Sequence, residues 1–104
     1  MLDVADIAEI QAKVAEVSST LRLLGNEKRL LILCRLAIAG EMSVGELAEA
    51  VGLSQSALSQ HLAKLRADDL VATRREAQVL HYRIRDPRVG QLLEALYRIY
   101  CAQS

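Results

Sequence analysis

Residues 43–69 restrict the fold most, because they predict two short helices separated by a tight turn. Ser43 and Glu46, three residues later, match the capping box that begins a helix. Gly52 interrupts the pattern, and Ser54 can cap a second helix. Apolar residues recur at helical spacing in both: Val44, Leu47, Ala48 and Val51, then Ala57, Leu58, Leu62 and Leu65. Two short helices joined by a glycine-containing turn are typical of a helix-turn-helix.

A β-hairpin is predicted after this pair of helices. Residues 71–75 and 79–85 are typical of strands joined by a three-residue connection, and the second strand alternates between apolar and polar side chains. Asp86 followed by Pro87 predicts the start of a last helix. With two helices before the helix-turn-helix, the order is α-α-α-α-β-β-α. The expected fold is mainly α with a β-hairpin, a winged helix-turn-helix, in a single domain spanning residues 1–104.

The first predicted helix carries a narrow apolar seam. Its members recur at alternating spacings of three and four residues: Ile7, Ile10, Val14, Val17, Leu21 and Leu24. Such a seam packs one helix along another, either within the same core or in a second copy of the chain. Asn26 then predicts the cap of a second helix that ends near Gly40. Because this second helix is apolar on most sides, we expect it to be central and buried.

The last predicted helix also has an apolar face, formed by Val89, Leu92, Leu93, Leu96, Ile99 and Tyr100. The chain is 52% hydrophobic, with a mean hydropathy of +0.17. That is rich for a small chain that buries everything within one copy. We therefore expect an oligomer.

Charge is distributed unevenly although the formal net charge is zero. Residues 1–53 hold five basic and eight acidic residues, a net charge of −3, and residues 54–104 hold eight basic and five acidic residues, a net charge of +3. This asymmetry favours an anionic partner for the second half, although an ordinary solvated surface would give the same count.

DNA is the anionic partner that the order of elements favours. A recognition helix fits the major groove, and a basic hairpin reaches the neighbouring backbone or minor groove. The polar side of the second helix of the helix-turn-helix presents side chains that can bond base edges or phosphates: Gln55, Ser56, Ser59, Gln60, His61 and Lys64. The candidate phosphate contacts on the hairpin are Arg74, Arg75 and Arg83.

Several other classes of protein do not fit the sequence. The first residues carry Asp3, Asp6 and Glu9 where a signal peptide would carry positive charge, so we expect a cytoplasmic protein. No apolar run is long enough to predict a membrane span. Neither a glycine-rich phosphate loop nor a Ser/His/Asp order is present, so we expect neither an enzyme nor a bound cofactor.

Four stretches together resemble the ArsR-type winged-helix repressors: "NEKRLLILCRL", "MSVGELAEAVGLSQSALSQHLAKLRADDLV", "RREAQVLHYRI" and "LYRIYC". Within these repressors, the resemblance is to the thiol-based sulfur- or redox-sensing branch of SqrR, BigR and HlyU, and it covers about residues 20–101. It implies a homodimer formed through the first and last helices. The two recognition helices of that dimer would read an inverted repeat in double-stranded operator DNA.

Many ArsR-type proteins sense metals, so the family's two common metal sites need comparison with this chain. A family stretch resembling "ELCVCDL" reads "EMSVGEL" here, with Ser43 and Gly45 in place of thiols. At the second site, on the last helix, Asp86 is retained, but Arg88, Ile99 and Ala102 replace the other ligands. We expect no metal at either site, and the alternative of a metal-sensing repressor is disfavoured.

Two cysteines, Cys34 and Cys101, complete the resemblance. Alone, Cys34 in its apolar helix would be interpreted as a small buried hydrophobe. Cys101 is expected in looser surroundings near the end of the last helix, where the guanidinium of Arg98 favours the reactive thiolate. The resemblance implies that the two are a redox-sensing pair. In that branch, persulfide-type sulfur donors, or peroxide in some members, oxidise the pair to a disulfide or polysulfide bridge.

The sequence therefore predicts a repressor that binds DNA when reduced and dissociates when reactive sulfur bridges its cysteines. One alternative is a peroxide-responsive regulator that forms a plain disulfide. Others are a derepressor that displaces another DNA-binding protein and a DNA-architecture module with inert cysteines.

Overall fold

The computed structural model describes residues 1–101, which form five helices and a three-stranded antiparallel sheet. In chain order, the elements are α1 (Val4–Leu24), α2 (Glu27–Ala39), β1 (Met42–Ser43), α3 (Val44–Val51), α4 (Gln55–Ala67), β2 (Val71–Glu76), β3 (Val79–Ile84) and α5 (Pro87–Tyr100). The predicted winged helix-turn-helix is confirmed, with α3 and α4 as the helix pair and β2 and β3 as the hairpin.

Side chains that accept hydrogen bonds from backbone amides fix where the helices begin. The Asn26 side chain accepts from the amides of Lys28 and Arg29, and the Ser43 hydroxyl accepts from the amide of Glu46. Ser54 and Asp86 cap α4 and α5 in the same way. All four caps were expected from the sequence, because short polar acceptors are the residues that satisfy the free amides of a first turn.

The sheet departs from prediction in three details. Strand order is β1-β3-β2, and the two-residue strand β1, which the sequence did not predict, pairs Met42 with Tyr82. The observed order is therefore α-α-β-α-α-β-β-α. Glu76 pairs with Val79, so the turn contains only two residues instead of three. The last strand ends at Ile84 instead of residue 85.

The core lies between α2, α3, α4, the first half of α5 and the inner face of the sheet. Its fully buried side chains are Ile32, Leu33, Leu36, Leu47, Leu58, Leu62, Leu65, Val71 and Val89. The sequence predicted that α2 would be central and buried. The helix is central, but it is not buried on all sides. Ile38 is 84% exposed and Leu31 is 39% exposed, because α2 has one face on the core and its last turn stands at the surface.

α1 packs against this core only at its end. Leu24 is buried, but the other five seam residues, from Ile7 to Leu21, are between 38% and 52% exposed. Two polar contacts hold the helix in place: the Ser19 hydroxyl donates to Asp68 at 3.1 Å, and the Arg88 guanidinium donates to Glu16 at 3.3 Å. No helix among residues 1–101 has the length and apolar character needed to cross a membrane.

Candidate nucleic-acid interface and cysteine pair

α4 has a fully buried side and an exposed polar side. Leu58, Leu62 and Leu65 hold the helix on the core, because their spacing of three and four residues places them on one face. The opposite side exposes five of the six residues predicted to contact DNA: Gln55, Ser56, Ser59, Gln60 and Lys64. These are hydrogen-bonding side chains on the second helix of a helix-turn-helix, the element that enters the major groove.

His61, the sixth predicted residue, is half-buried at the edge of this face. Burial lowers the pKa of the His61 imidazole, and the positive charges of Arg29 and Lys64 lower it further. At neutral pH the ring is therefore mostly uncharged. It can donate one hydrogen bond and accept one, but it contributes little charge toward a phosphate.

Arg74, which the sequence predicted to contact DNA, is exposed and forms ion pairs with two acidic residues. Its guanidinium lies 2.7 Å from Glu41 Oε1 and 3.3 Å from Glu76, and its Nε also donates to Glu41. Hydrogen bonds from Arg74 hold the pKa of the Glu41 carboxyl below its ordinary value. No local pattern predicts this ion pair, because the two residues lie 33 positions apart and meet only when the sheet forms.

The register of the hairpin separates the three predicted arginines. Arg75 pairs with Leu80, directly next to the final pair of the hairpin, whereas Arg83 pairs with Ala72 near its base. Because side chains alternate between faces along a strand, Arg75 lies on one face of the sheet, and Arg74 and Arg83 lie on the other. The three predicted DNA contacts therefore do not share one face of the sheet. Arg75 is exposed near the tip of the hairpin.

Arg83 lines a surface groove, and Cys34 lines the same groove. This groove, between α2, β3 and α5, has a volume of about 720 Å³, and Tyr97 and Arg98 line it from the side of α5. We refer to it as the Cys34 groove. Cys34 is half-buried there and packs against the core with its neighbours in α2. It is therefore less buried than its apolar surroundings in the sequence suggested.

Cys101 is exposed directly after α5, and both thiols are free. Burial raises the pKa of the Cys34 thiol, and the nearby charge of Cys101 raises it further. The helix that carries Cys34, α2, contacts α5, and Cys101 follows α5 directly.

The two positions at which related proteins hold metals have other roles here. The Ser43 hydroxyl caps α3. The Asp86 carboxylate accepts three hydrogen bonds from the guanidinium of Arg88, the shortest at 2.7 Å, and these lower the pKa of Asp86. In the part of the chain that the structure describes, no three His, Cys, Asp or Glu side chains form a cluster able to hold a metal ion. Ala102 lies outside the described residues.

A helix-turn-helix with an exposed polar second helix, followed by a basic antiparallel hairpin, defines a winged-helix DNA-binding protein. Comparison with known proteins places the chain within that class. Residues 26–73 match the family described as "Bacterial regulatory protein, arsR family". The chain is 47% identical over 96 residues to the transcriptional activator HlyU of Vibrio cholerae, an alignment that covers 92% of this chain and 88% of that protein. The chain belongs to the ArsR family.

Solved structures agree with this assignment. The transcriptional repressor BigR of Xylella fastidiosa superposes with a TM-score of 0.85 at 40% identity, covering 92% of this chain and 97% of that one. A homodimeric winged helix-turn-helix domain from Mycobacterium bovis superposes with a TM-score of 0.76 at 32% identity, covering 86% of this chain and 82% of that one. The chain is a transcriptional regulator and not an enzyme.

Proposed function

We propose that this chain is a homodimeric cytoplasmic repressor that binds an inverted repeat when Cys34 and Cys101 are reduced and leaves DNA when reactive sulfur bridges them. The observation that carries the proposal is the placement of the thiols. Cys34 on α2 lines an open groove against α5, the two helices are in contact, and Cys101 follows α5 directly. Two free thiols on neighbouring helices, one of them exposed, are suited to form a bridge.

A second copy of the chain is the partner that the exposed apolar residues favour. The α1 seam stands uncovered from Ile7 to Leu21, and Ile99 and Tyr100 on α5 are 67% and 74% exposed. Such a concentration of exposed apolar side chains is unusual for a monomer and typical of an interface. Pairing through α1 and α5 gives two copies of α4, and a twofold arrangement of recognition helices matches an inverted repeat.

Persulfide donors can bridge the pair without any further oxidant. A cysteine thiolate attacks the outer sulfur of a persulfide, R–S–SH; the S–S bond breaks, a thiolate R–S⁻ leaves, and a cysteine persulfide forms. The second cysteine thiolate then attacks the sulfur bonded to the first cysteine and releases HS⁻. The product is a disulfide, and the sulfane sulfur has been reduced to sulfide. A trisulfide forms instead when both cysteines are persulfidated and one H₂S is lost.

A bridge would act on DNA binding through α2. This helix contacts α3 and α5, and the Lys28 ammonium donates to the carbonyl of Val51 at the end of α3. A covalent link between α2 and the end of α5 therefore joins the helix behind the helix-turn-helix to the proposed dimer interface. A dimer must meet both half-sites at once, so a shift in the spacing of its recognition helices lowers affinity. Coupling of about 1–3 kcal/mol gives a usable switch.

The test measures DNA binding by the reduced, persulfide-treated and peroxide-treated protein. The probe is a duplex selected from a random-sequence pool by the reduced dimer. Loss of binding after persulfide alone supports the sulfur sensor, and loss after both oxidants favours the peroxide-responsive alternative. Binding that neither treatment changes would leave a DNA-architecture module with inert cysteines.

Serine variants connect the response to the pair. Cys34→Ser and Cys101→Ser should each bind DNA as the reduced protein does and should no longer respond. Full response by either single variant would contradict the paired mechanism.

The name of the relative HlyU, an activator, also favours a second mode, in which this chain raises transcription by displacing another DNA-binding protein. Transcription in vitro with purified polymerase alone separates the two, since only direct repression needs no second protein.

A further inference from the structure

The Cys34 groove is larger and more varied in chemistry than a bridge between two thiols requires. Its walls are mostly apolar, and they include Ile38 and Tyr97, both strongly exposed. Gly90 lines it from the middle of α5, where a Cβ would meet no atom within 4 Å. Glycine inside a helix is destabilising relative to alanine, and packing within the described residues does not require it at this position.

Two arginines that line the groove form no ion pair within residues 1–101. Arg74, Arg85 and Arg88 all form ion pairs with acidic residues of the same chain. By contrast, neither Arg83 nor Arg98, which line the groove, forms an ion pair within residues 1–101. Glu94 also lines the groove, so its three charged side chains sum to a net positive charge that favours an anion. A guanidinium is well suited to a carboxylate, which it can bind through two parallel hydrogen bonds.

The size of the groove favours an organic molecule. A volume of about 720 Å³ lies within the range of roughly 300–1,000 Å³ that is usual for sites of small organic ligands. An inorganic persulfide ion consists of two sulfur atoms and would leave most of this space unfilled. It would make no use of the apolar walls.

We infer that the Cys34 groove binds a small organic carboxylate, with its acid group on Arg83 and Arg98 and its apolar part against Ile38 and Tyr97. The inference rests on the proposed function in one respect: it assigns the sulfur donor to the carboxylate-bearing organic persulfides. Docking holds the outer sulfur of such a donor beside Cys34. The thiolate of Cys34 attacks that sulfur, the donor's S–S bond breaks, and the donor leaves as a thiolate that takes up a proton.

The experiment compares two donors that differ only in charge. The persulfides of 3-mercaptopropionic acid and of 3-mercaptopropanamide are each mixed with the Cys101→Ser variant, so that Cys34 is the only thiol. Intact-protein mass spectrometry follows formation of the Cys34 persulfide. Because an exposed ion pair contributes modestly, the acid should react about threefold faster than the amide.

Arginine variants made in the Cys101→Ser protein test whether Arg83 causes the preference for the acid donor over the amide donor. Arg83→Gln should bring the ratio of the two rates close to one. Arg35→Gln is the matched control, because Arg35 is exposed and next to Cys34 in the sequence but does not line the groove. It should keep the ratio. The ratio cancels any general change in thiol reactivity, so equal rates for the two donors, or a ratio that survives Arg83→Gln, would overturn the inference.

A second measurement tests binding of a carboxylate in the groove directly, and it applies even if neither donor modifies Cys34. That result would remove the sulfur-sensing proposal but not the binding site. Unreactive 3-(methylthio)propionate should then shift the backbone amide signals of Gly40 and Gly90, which line the groove, in NMR spectra of the unmodified dimer. Its amide should shift them less. Absence of any shift with the acid would exclude the site.

Discussion

The body of the winged helix and its outer helices have similar apolar spacing and very different surroundings. Leu33, Leu47 and Leu58 in the body are completely covered by the chain itself. Val14 and Leu21 on α1 recur with the same helical periodicity, yet they are 50% and 52% exposed. Periodicity therefore predicts which face of a helix must be covered, but not whether the same chain covers it.

The largest effect is expected inside the body. Leu58→Ala should lower the free energy of unfolding by about 3 kcal/mol, because it leaves a cavity in a fully enclosed site. Urea unfolding at one fixed protein concentration measures this loss. Arg66→Ala, on the exposed side of the same helix, is the control and should cost no more than about 0.5 kcal/mol. Equal losses in the two variants would show that α4 is not anchored as described.

A smaller effect on folding, but a clear effect on assembly, is expected on α1. Val14→Glu should weaken dimerisation about tenfold or more, because the interface would have to bury a carboxylate without a partner. Sedimentation equilibrium measures the dissociation constant, and circular dichroism shows whether the helices persist. Ala12→Glu places the same charge away from the seam and should dimerise normally. A Val14→Glu protein that remained dimeric would assign the interface to another surface.

Cys34 lies between the two regions, and its reactivity should reflect partial burial. Because burial raises the pKa of its thiol, the protonated form dominates at neutral pH and the reactive thiolate is scarce. Alkylation of Cys34 by iodoacetamide in the Cys101→Ser variant should accelerate about tenfold per pH unit from pH 6 to pH 8, since the thiolate fraction rises in that proportion. A rate that levels off below pH 8 would show a lowered pKa instead.

The smallest effect separates two neighbouring arginines on the hairpin. Arg75→Gln should weaken binding to DNA by about 1 kcal/mol and reduce the slope of log affinity against log salt by about 0.9, as expected for one lost phosphate contact. Arg74→Gln should leave the slope unchanged, because Glu41 already neutralises Arg74. Equal changes in slope for the two variants would mean that the ion pair opens on DNA.

Local patterns in the sequence were sufficient to predict most of the fold. Asn26, Ser43, Ser54 and Asp86 each cap the helix that they were expected to begin. These signals succeed because a cap and the first turn that it stabilises lie within three residues of each other. The winged-helix order follows from them, and so does the separation of buried and exposed sides in α4.

The sequence failed where contacts join distant segments. β1 is too short to show any alternation, and it exists because Met42 meets Tyr82 across 40 positions. Glu41 neutralises Arg74 through a contact that only the folded sheet creates. Arg83 was predicted to contact DNA because it is basic and on a strand, but the fold also places it on the wall of the groove that contains Cys34. Charge alone does not indicate which face of a sheet a side chain occupies.

The cap on α3 has a consequence for how regulators of this family can diverge. Ser43 is the N-cap of α3, and its hydroxyl accepts a hydrogen bond from a backbone amide of the first turn. A cysteine at this position would lower the stability of the protein by about 1 kcal/mol, because sulfur is a weak acceptor. At Gly45 an added Cβ would lie 3.9 Å from the Gln55 side chain, an ordinary contact. The two steps toward a thiolate metal site are thus unequal in cost. An evolving lineage would acquire the cysteine at 45 more readily than the cysteine at 43.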